Sequence, residues 1–246
     1  MDSNSNSYGD QFQKNTKYVR NKLPKHSLDW EIKPKTYKTY DNPKSTVNLP
    51  PPKLDEPSSF WNVIINRQSL RKFTQDAISI DLLSLLLFGI SGITRNYPQF
   101  AFRTVPSAGG LFPIETYVLI NNVDGIEPGI YHYNIKDHLL ECLKLGDYRN
   151  EVMKACLDQK MVYKSAITFI WTAVIERSKW KYLQRCYRYI YMDAGHIGQN
   201  FYLVAGALGL GACTIGAIYD DELNYLLEID GVEETAIYVG VTGSKK

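Results

Sequence analysis

Apolar side chains recur at Ile190, Ala194, Ile197, Phe201, Ala205 and Leu208, in steps of three and four. That spacing predicts one buried helical face within residues 181–216. Gly195, Gly198, Gly206 and Gly209 interrupt the pattern, each less favourable in a helix than alanine. A helix built this way is expected to let a second helix or a flat ligand come close to its backbone. Its end is expected at residues 209–211, with a left-handed glycine cap leading into the apolar run ACTIGAI. The uncharged stretch from Phe201 to Ile218 covers about 18 residues, near the lower limit of a membrane span. The glycines, the break in the middle, and Asp193, His196, Gln199 and Asn200 just upstream favour a buried core helix instead.

Shorter patterns fill in the chain. Helices are predicted over residues 60–66, behind an N-cap at Ser58-Ser59, over 80–88, stopped by Gly89 and Gly92, and over 146–157 and 220–227. Strands are predicted at 114–120, at 130–133 after the turn Glu127-Pro128-Gly129, at 166–174 and at 236–241. The run at 166–174 is apolar throughout, as in a strand buried on both faces. Helices alternating with strands, and no internal repeat, indicate an α+β or α/β fold. Residues 1–57 are poor in core periodicity, and prolines 50–52 favour extended chain. Trp30, Tyr37 and Tyr40 argue against simple disorder. This segment is expected to be a partly ordered, extended arm laid over the body, or over that of a partner subunit, with residues 58–246 forming the body.

Composition narrows the options. The chain has 246 residues and a formal net charge of +2, so nothing draws it globally to nucleic acid or acidic membranes. Its length fits one large domain with a substantial core. Cys142, Cys156, Cys186 and Cys213 lack CxxC spacing, which suggests neither a metal site nor a disulfide framework and is simplest in a reducing cytoplasm. No apolar signal segment opens the sequence, so none is expected.

The residues leave several chemistries open. There is no GxSxG, HExxH or P-loop, and the glycines near 206–211 close a helix instead of opening one after a strand. Arg67, Ser69 and Arg71 in RQSLRKF form either a phosphate cradle or a solvated basic turn. Residues 103–113 make a proline-bounded loop of small residues, either an ordinary turn or a backbone surface for a planar ligand. His196 could reach a site, or serve as a hydrogen-bonded structural residue. Lys181-Tyr182 is a solvated pair by spacing alone, although a lysine with a depressed pKa beside a phenol could move protons.

Four blocks occur in an order that resembles the FMN-dependent nitroreductase superfamily, in particular its SagB-type (thiazoline and oxazoline oxidase-like) branch. They are RQSLRKF at 67–73, RTVPSAGGLFPIETY at 103–117 with GIYHY at 129–133, RYIYMDAGHIGQN at 188–200, and LGLGACTIGAIYDD at 208–221. The resemblance implies an α+β fold: a mixed β-sheet flanked by helices, with the long central helix as the dimerisation element. It implies a homodimer binding two FMN at the subunit interface. Arg67, Ser69 and Arg71 match the phosphate-binding residues, with Gln68 where a second basic residue is common. Pro106, Ser107, Ala108, Gly109 and Gly110 match the loop reaching the flavin from the partner subunit. Ile215 and Gly216 match backbone contacts near the flavin ring, and Lys245 a C-terminal cation on the phosphate. Lys181 and Tyr182 match a catalytic pair found ahead of the DAGH block in azoline oxidisers. The implied reaction removes a ring proton and passes hydride to the flavin, converting azolines in a modified peptide to azoles, in a complex that could include a cyclodehydratase. Trp180 and Tyr187, with Arg177, Arg185 and Arg188, are expected to lower the pKa of Lys181. The alternatives are a nicotinamide-dependent nitroreductase or quinone reductase, and a flavin-binding, non-catalytic subunit of a peptide-modifying complex.

Overall fold

A computed structural model describes residues 8–24, 26–54, 59–97 and 100–246. Part of the expected N-cap, Ser58, lies outside the described residues. Strands β1 (Ser45–Asn48), β4 (Ile114–Ile120), β5 (Gly129–Asn134), β6 (Leu139–Leu145), β7 (Ile167–Val174), β8 (Leu210–Ile215) and β9 (Glu234–Ser244) form one sheet in the order β1-β6-β5-β4-β7-β9-β8. A hairpin of β2 (Ile93–Asn96) and β3 (Ala101–Arg103) stands apart from it.

Period-two alternation explains how the sheet takes helices on both faces. Val118 and Ile120 of β4, and Phe169, Trp171 and Ala173 of β7, pack in one cluster with α3 (Ile80–Ser91) and α7 (Cys186–Ala207). Tyr117, Leu119 and Ile170 point the other way, towards α4 (Arg149–Ala155), α5 (Lys160–Lys164) and α8 (Asp220–Leu227). The α+β class and the flanking helices match expectation. The sheet is not mixed, however: among the described residues every neighbouring strand pair is antiparallel, and parallel pairing is limited to a bridge between Ile78 and Val123.

The helix 80–88 expected from the sequence continues through Gly89 to Ser91. A Cβ at Gly89 would lie 2.5 Å from Val204 Cγ2, so this glycine lets α3 and α7 cross closely instead of ending the helix. The uncharged stretch 201–218 divides between the end of α7 and β8, with Gly209 at φ +75° as the turn. No described helix is long and apolar enough to cross a membrane.

The N-terminal segment is bound to the body. It carries α1 (Tyr8–Thr16) and the edge strand β1, which pairs with β6. Between them, Lys38 Nζ meets Glu234 Oε2 at 2.5 Å and the Tyr117 hydroxyl at 2.6 Å. Burial would lower the pKa of Lys38, but the Glu234 carboxylate outweighs it and raises it.

A second buried ionic group joins the arm, the sheet and α6 (Ile175–Tyr182). Arg177 Nη1 donates to Glu115 Oε1 at 2.5 Å and to Phe112 O at 3.2 Å, while Nε donates to Lys35 O at 2.8 Å. His132 contacts Glu115 Oε2 at 3.1 Å through Nε2 and Glu141 Oε2 at 2.8 Å through Nδ1. Burial alone would raise the pKa of Glu115, but Arg177, His132 and Arg103 hold it down at about 2. A carboxylate with a depressed folded pKa contributes stability above its unfolded value, and that contribution is lost as pH falls through the folded one. Acid unfolding should therefore begin near pH 4.5 and proceed towards 2, with Glu115→Gln flattening this limb in pH-dependent melts. Arg177→Met, which takes from the buried Glu115 its shortest ionic partner and leaves it only His132 and the more distant Arg103, should cost about 3 kcal/mol in denaturant unfolding.

Candidate active site

The loop at 106–110 is folded down onto α7. Asp193, on the buried face of that helix, accepts from Ser107 Oγ at 2.5 Å and from the Ala108 N–H at 3.2 Å. Ser107 Oγ in turn accepts the Phe112 N–H at 2.9 Å. Burial raises the pKa of Asp193, and the two loop hydrogen bonds work against that rise. Gly109 and Gly110 have φ of +65° and +66°, a conformation that favours glycine. A Cβ at Gly109 would lie 2.6 Å from Tyr182 Oη and 3.0 Å from Lys181 Nζ. The absence of a side chain there is what brings the loop backbone against the Lys181-Tyr182 pair.

The pair ends α6, where Leu183, at φ +48°, turns the chain towards α7. Both side chains are half-buried, and Lys181 Nζ is 5.6 Å from the Tyr182 ring centroid. Tyr182 packs edge-on against Tyr189 at 4.6 Å. Burial first, then Tyr189, Tyr18 and Asp193, raises its pKa, so the phenol stays protonated and can donate a hydrogen bond. The arginines expected to act on Lys181 are engaged elsewhere. Arg177 is paired with Glu115, Arg185 Nη1 donates to Thr16 O at 2.8 Å, and Arg188 Nε donates to Thr16 Oγ1 at 2.7 Å. Lys181 opens onto a cleft of about 650 Å³ whose lining includes Gly109, Gly110 and Trp180. Another cleft, about 440 Å³ and lined by Asp137 and His138, contains none of the expected site residues.

The basic block forms a second centre. The Leu70 N–H donates to Ala212 O at 2.8 Å, and Phe73 bridges to Lys245. These contacts set Arg67, Ser69, Arg71 and Lys245 beside β8, whose end carries Ile215 and then Gly216. Ser69 Oγ lies 3.0 Å from the Tyr202 hydroxyl, which accepts the Thr214 N–H at 2.9 Å. Arg67, Arg71 and Lys245 are exposed, and among the described residues none of them makes an ion pair.

Both centres rest on α7, at Asp193 and at Tyr202. Nine residues of helix separate those positions by about 13 Å along the axis and about 180° around it. One chain therefore keeps its glycine loop and its basic block on opposite sides of α7.

Reading the sequence missed Asp193 and Tyr202 as site residues. Asp193 carried a usable signal, since it falls on the apolar stripe three residues after Ile190 and a buried carboxylate needs partners. Tyr202 carried none. His196, for which a hydrogen-bonded structural role or a site role was open, is exposed on α7.

An antiparallel sheet between helical layers, with a basic block, a glycine loop and a Lys-Tyr pair set around one long helix, makes this an α+β protein. The model of the nitroreductase family matches residues 64–243, and the chain belongs to that family. A protein of Methanocaldococcus jannaschii assigned as a nitroreductase is 35% identical over 184 residues, 75% of this chain and 91% of that protein. The trifolitoxin-processing protein TfxB of Rhizobium leguminosarum bv. trifolii is 30% identical over 170 residues, 65% of this chain and 46% of its own length. This second likeness supports the SagB-type branch. A solved structure from Anabaena variabilis, also assigned as a nitroreductase, superposes with a TM-score of 0.79 at 30% identity, covering 94% of this chain and 45% of that one.

Asp193→Ala should release the loop, because two donors lose their acceptor at a cost of about 1–3 kcal/mol. Hydrogen exchange at residues 107–112 should quicken while β7 and β9 stay protected. Unchanged exchange in the loop would show that Asp193 does not hold it.

Proposed function

We propose that the protein is an FMN-dependent oxidoreductase that oxidises azoline rings in a modified peptide. The supporting observation is the contact between Lys181, Tyr182 and Gly109, which sets a base and a phenol against a glycine loop beside an open cleft. The residues fit FMN: unpaired cations at Arg67, Arg71 and Lys245 match a phosphate dianion, and the glycine loop admits a flat ring system. When bound, FMN supplies the two-electron acceptor.

The chain's own residues handle the proton. Lys181 in its neutral form takes the proton from the azoline ring carbon. Tyr182 stays protonated and orients the ring nitrogen by donating a hydrogen bond. The cleft walls limit access of water to the ring. Because α7 separates the two centres, one ligand held by both is best served by a homodimer in which each subunit supplies one half. The surface supports such pairing. Phe60, Trp61 and Ile65 of α2 (Phe60–Asn66) are 63%, 68% and 77% exposed. Exposed apolar patches of this kind mark interaction surfaces.

The likeness to a toxin-processing protein favours a peptide substrate and leaves room for partner enzymes such as a cyclodehydratase. The high coverage of the M. jannaschii relative favours a second reading, a nicotinamide-dependent nitroreductase. Rapid bleaching of bound flavin by NADPH, with turnover of nitroaromatics, would select that reading. Oxidation of an azoline peptide with slow bleaching would select the first.

The purified protein should bind FMN as a dimer, and Arg71→Ala should weaken binding about tenfold or more in a flavin-fluorescence titration. Lys181→Ala should keep FMN and the dimer yet lose azoline oxidation by about two to four decades. Tyr182→Phe should lose less. A Lys181→Ala protein that oxidises the peptide at the wild-type rate would rule the base out.

A further inference from the structure

The cleft beside Lys181 has a wall that the family blocks do not supply. Trp30 and Lys33, both from the N-terminal arm, line it together with Phe100, Phe102, Trp180 and Lys181. This rim is fixed to the body. His26 Nε2 lies 2.8 Å from Trp180 O, the Trp180 indole N–H donates to Asp29 O at 2.7 Å, and Arg177 Nε holds Lys35 O. Trp30 meets Trp180 edge-on at 5.2 Å yet remains 67% exposed. Phe100 and Phe102 are 55% and 41% exposed on the facing hairpin. So much exposed aromatic surface around one cleft marks a place where a flat apolar group binds.

Every ionisable side chain lining the cleft is a lysine. Lys33 Nζ sits 5.7 Å from the Trp30 ring centroid, held near the rim by the ring's negative face. Among the described residues neither Lys33 nor Lys181 makes an ion pair, and none of the residues lining the cleft is acidic. Asp29 and Glu31 flank Trp30 in sequence but do not line the cleft, and Asp29 Oδ1 accepts the Glu31 N–H at 3.0 Å.

We propose that this cleft is a specificity subsite for a peptide carrying a carboxylate next to the ring to be oxidised. The aromatic wall takes the ring or its apolar neighbour, and Lys33 binds the carboxylate, leaving Lys181 at the inner end for the ring proton. The proposal rests on the peptide-oxidising reading for the identity of the ligand. Its test needs no turnover, so the two stand or fall separately.

The probe is a set of labelled, thiazole-containing peptides with Glu or Gln beside the ring and a free or amidated C-terminus. Each is titrated into the full chain by fluorescence anisotropy. At low salt the Glu peptide should bind about twofold to fivefold tighter than the Gln peptide, the range expected for one partly exposed ion pair. The preference should shrink in high salt. Lys33→Gln should weaken it, Lys33→Glu should reverse it, and Trp30→Ala should weaken both peptides alike. Both substituted side chains are exposed, so the thermal transition should stay at the wild-type temperature. Discrimination that follows C-terminal amidation instead of the Glu/Gln change would assign the carboxylate to the chain end, with Lys33 reading it. Equal binding of all the peptides, no binding by any, or a preference untouched by Lys33→Glu would overturn the proposal. Discrimination without FMN binding or azoline oxidation would leave the subsite standing and remove the catalytic reading.

Discussion

The Arg177–Glu115 pair is the interaction on which most of this structure depends. One guanidinium meets a strand carboxylate, the carbonyl at the end of the glycine loop, and the backbone of the arm. A charge this deep is tolerable only with a full set of partners, so these segments must assemble together. Arg177 lies four residues before Lys181, about one helical turn, on the same short helix. The position of Lys181 is therefore tied to the sheet, the loop and the arm at one junction.

The active-site region extends the same logic outwards. Asp193 on α7 fixes the loop from below, and Gly109 removes the side chain that would keep the loop away from Lys181 and Tyr182. Neither residue needs to touch a substrate to matter, since each sets the distance between the loop and the Lys181-Tyr182 pair. The basic block depends on a separate neutral chain of hydrogen bonds through Ser69, Tyr202 and Thr214. The two halves of the proposed cofactor site can thus be perturbed independently, as expected if they serve different parts of one ligand.

The arm is neither a tail nor a passive cover. Lys38 neutralises the buried Glu234, β1 closes one sheet edge, and Arg185 and Arg188 grip the carbonyls at the end of α1. These arginines read as a positive field around Lys181 in the linear sequence. Folded, they are the arm's anchors, and the arm in turn supplies Trp30 and Lys33 to the cleft.

What the sequence alone determined was local or periodic. The apolar steps from Ile190 to Leu208 specified α7 and the continuous run at 166–174 specified β7, because spacing of side chains dictates which face is buried. The run at 114–120 reads as a half-buried strand, whereas β4 is buried on both faces between the helical layers. The block order pointed to the family and to Lys181, Tyr182 and the glycine loop. The strand β6 went unread because LLECLKL alternates poorly, and β1 because STVN is too short to show a period. Sheet order, the uniformly antiparallel pairing and the extension of α3 through Gly89 came only from tertiary packing. So did the meeting of Arg177 with Glu115, 62 residues apart, and of Asp193 with Ser107, 86 apart. No local pattern encodes such partners: a buried charge demands a counter-charge, but only the folded chain decides which one comes within reach.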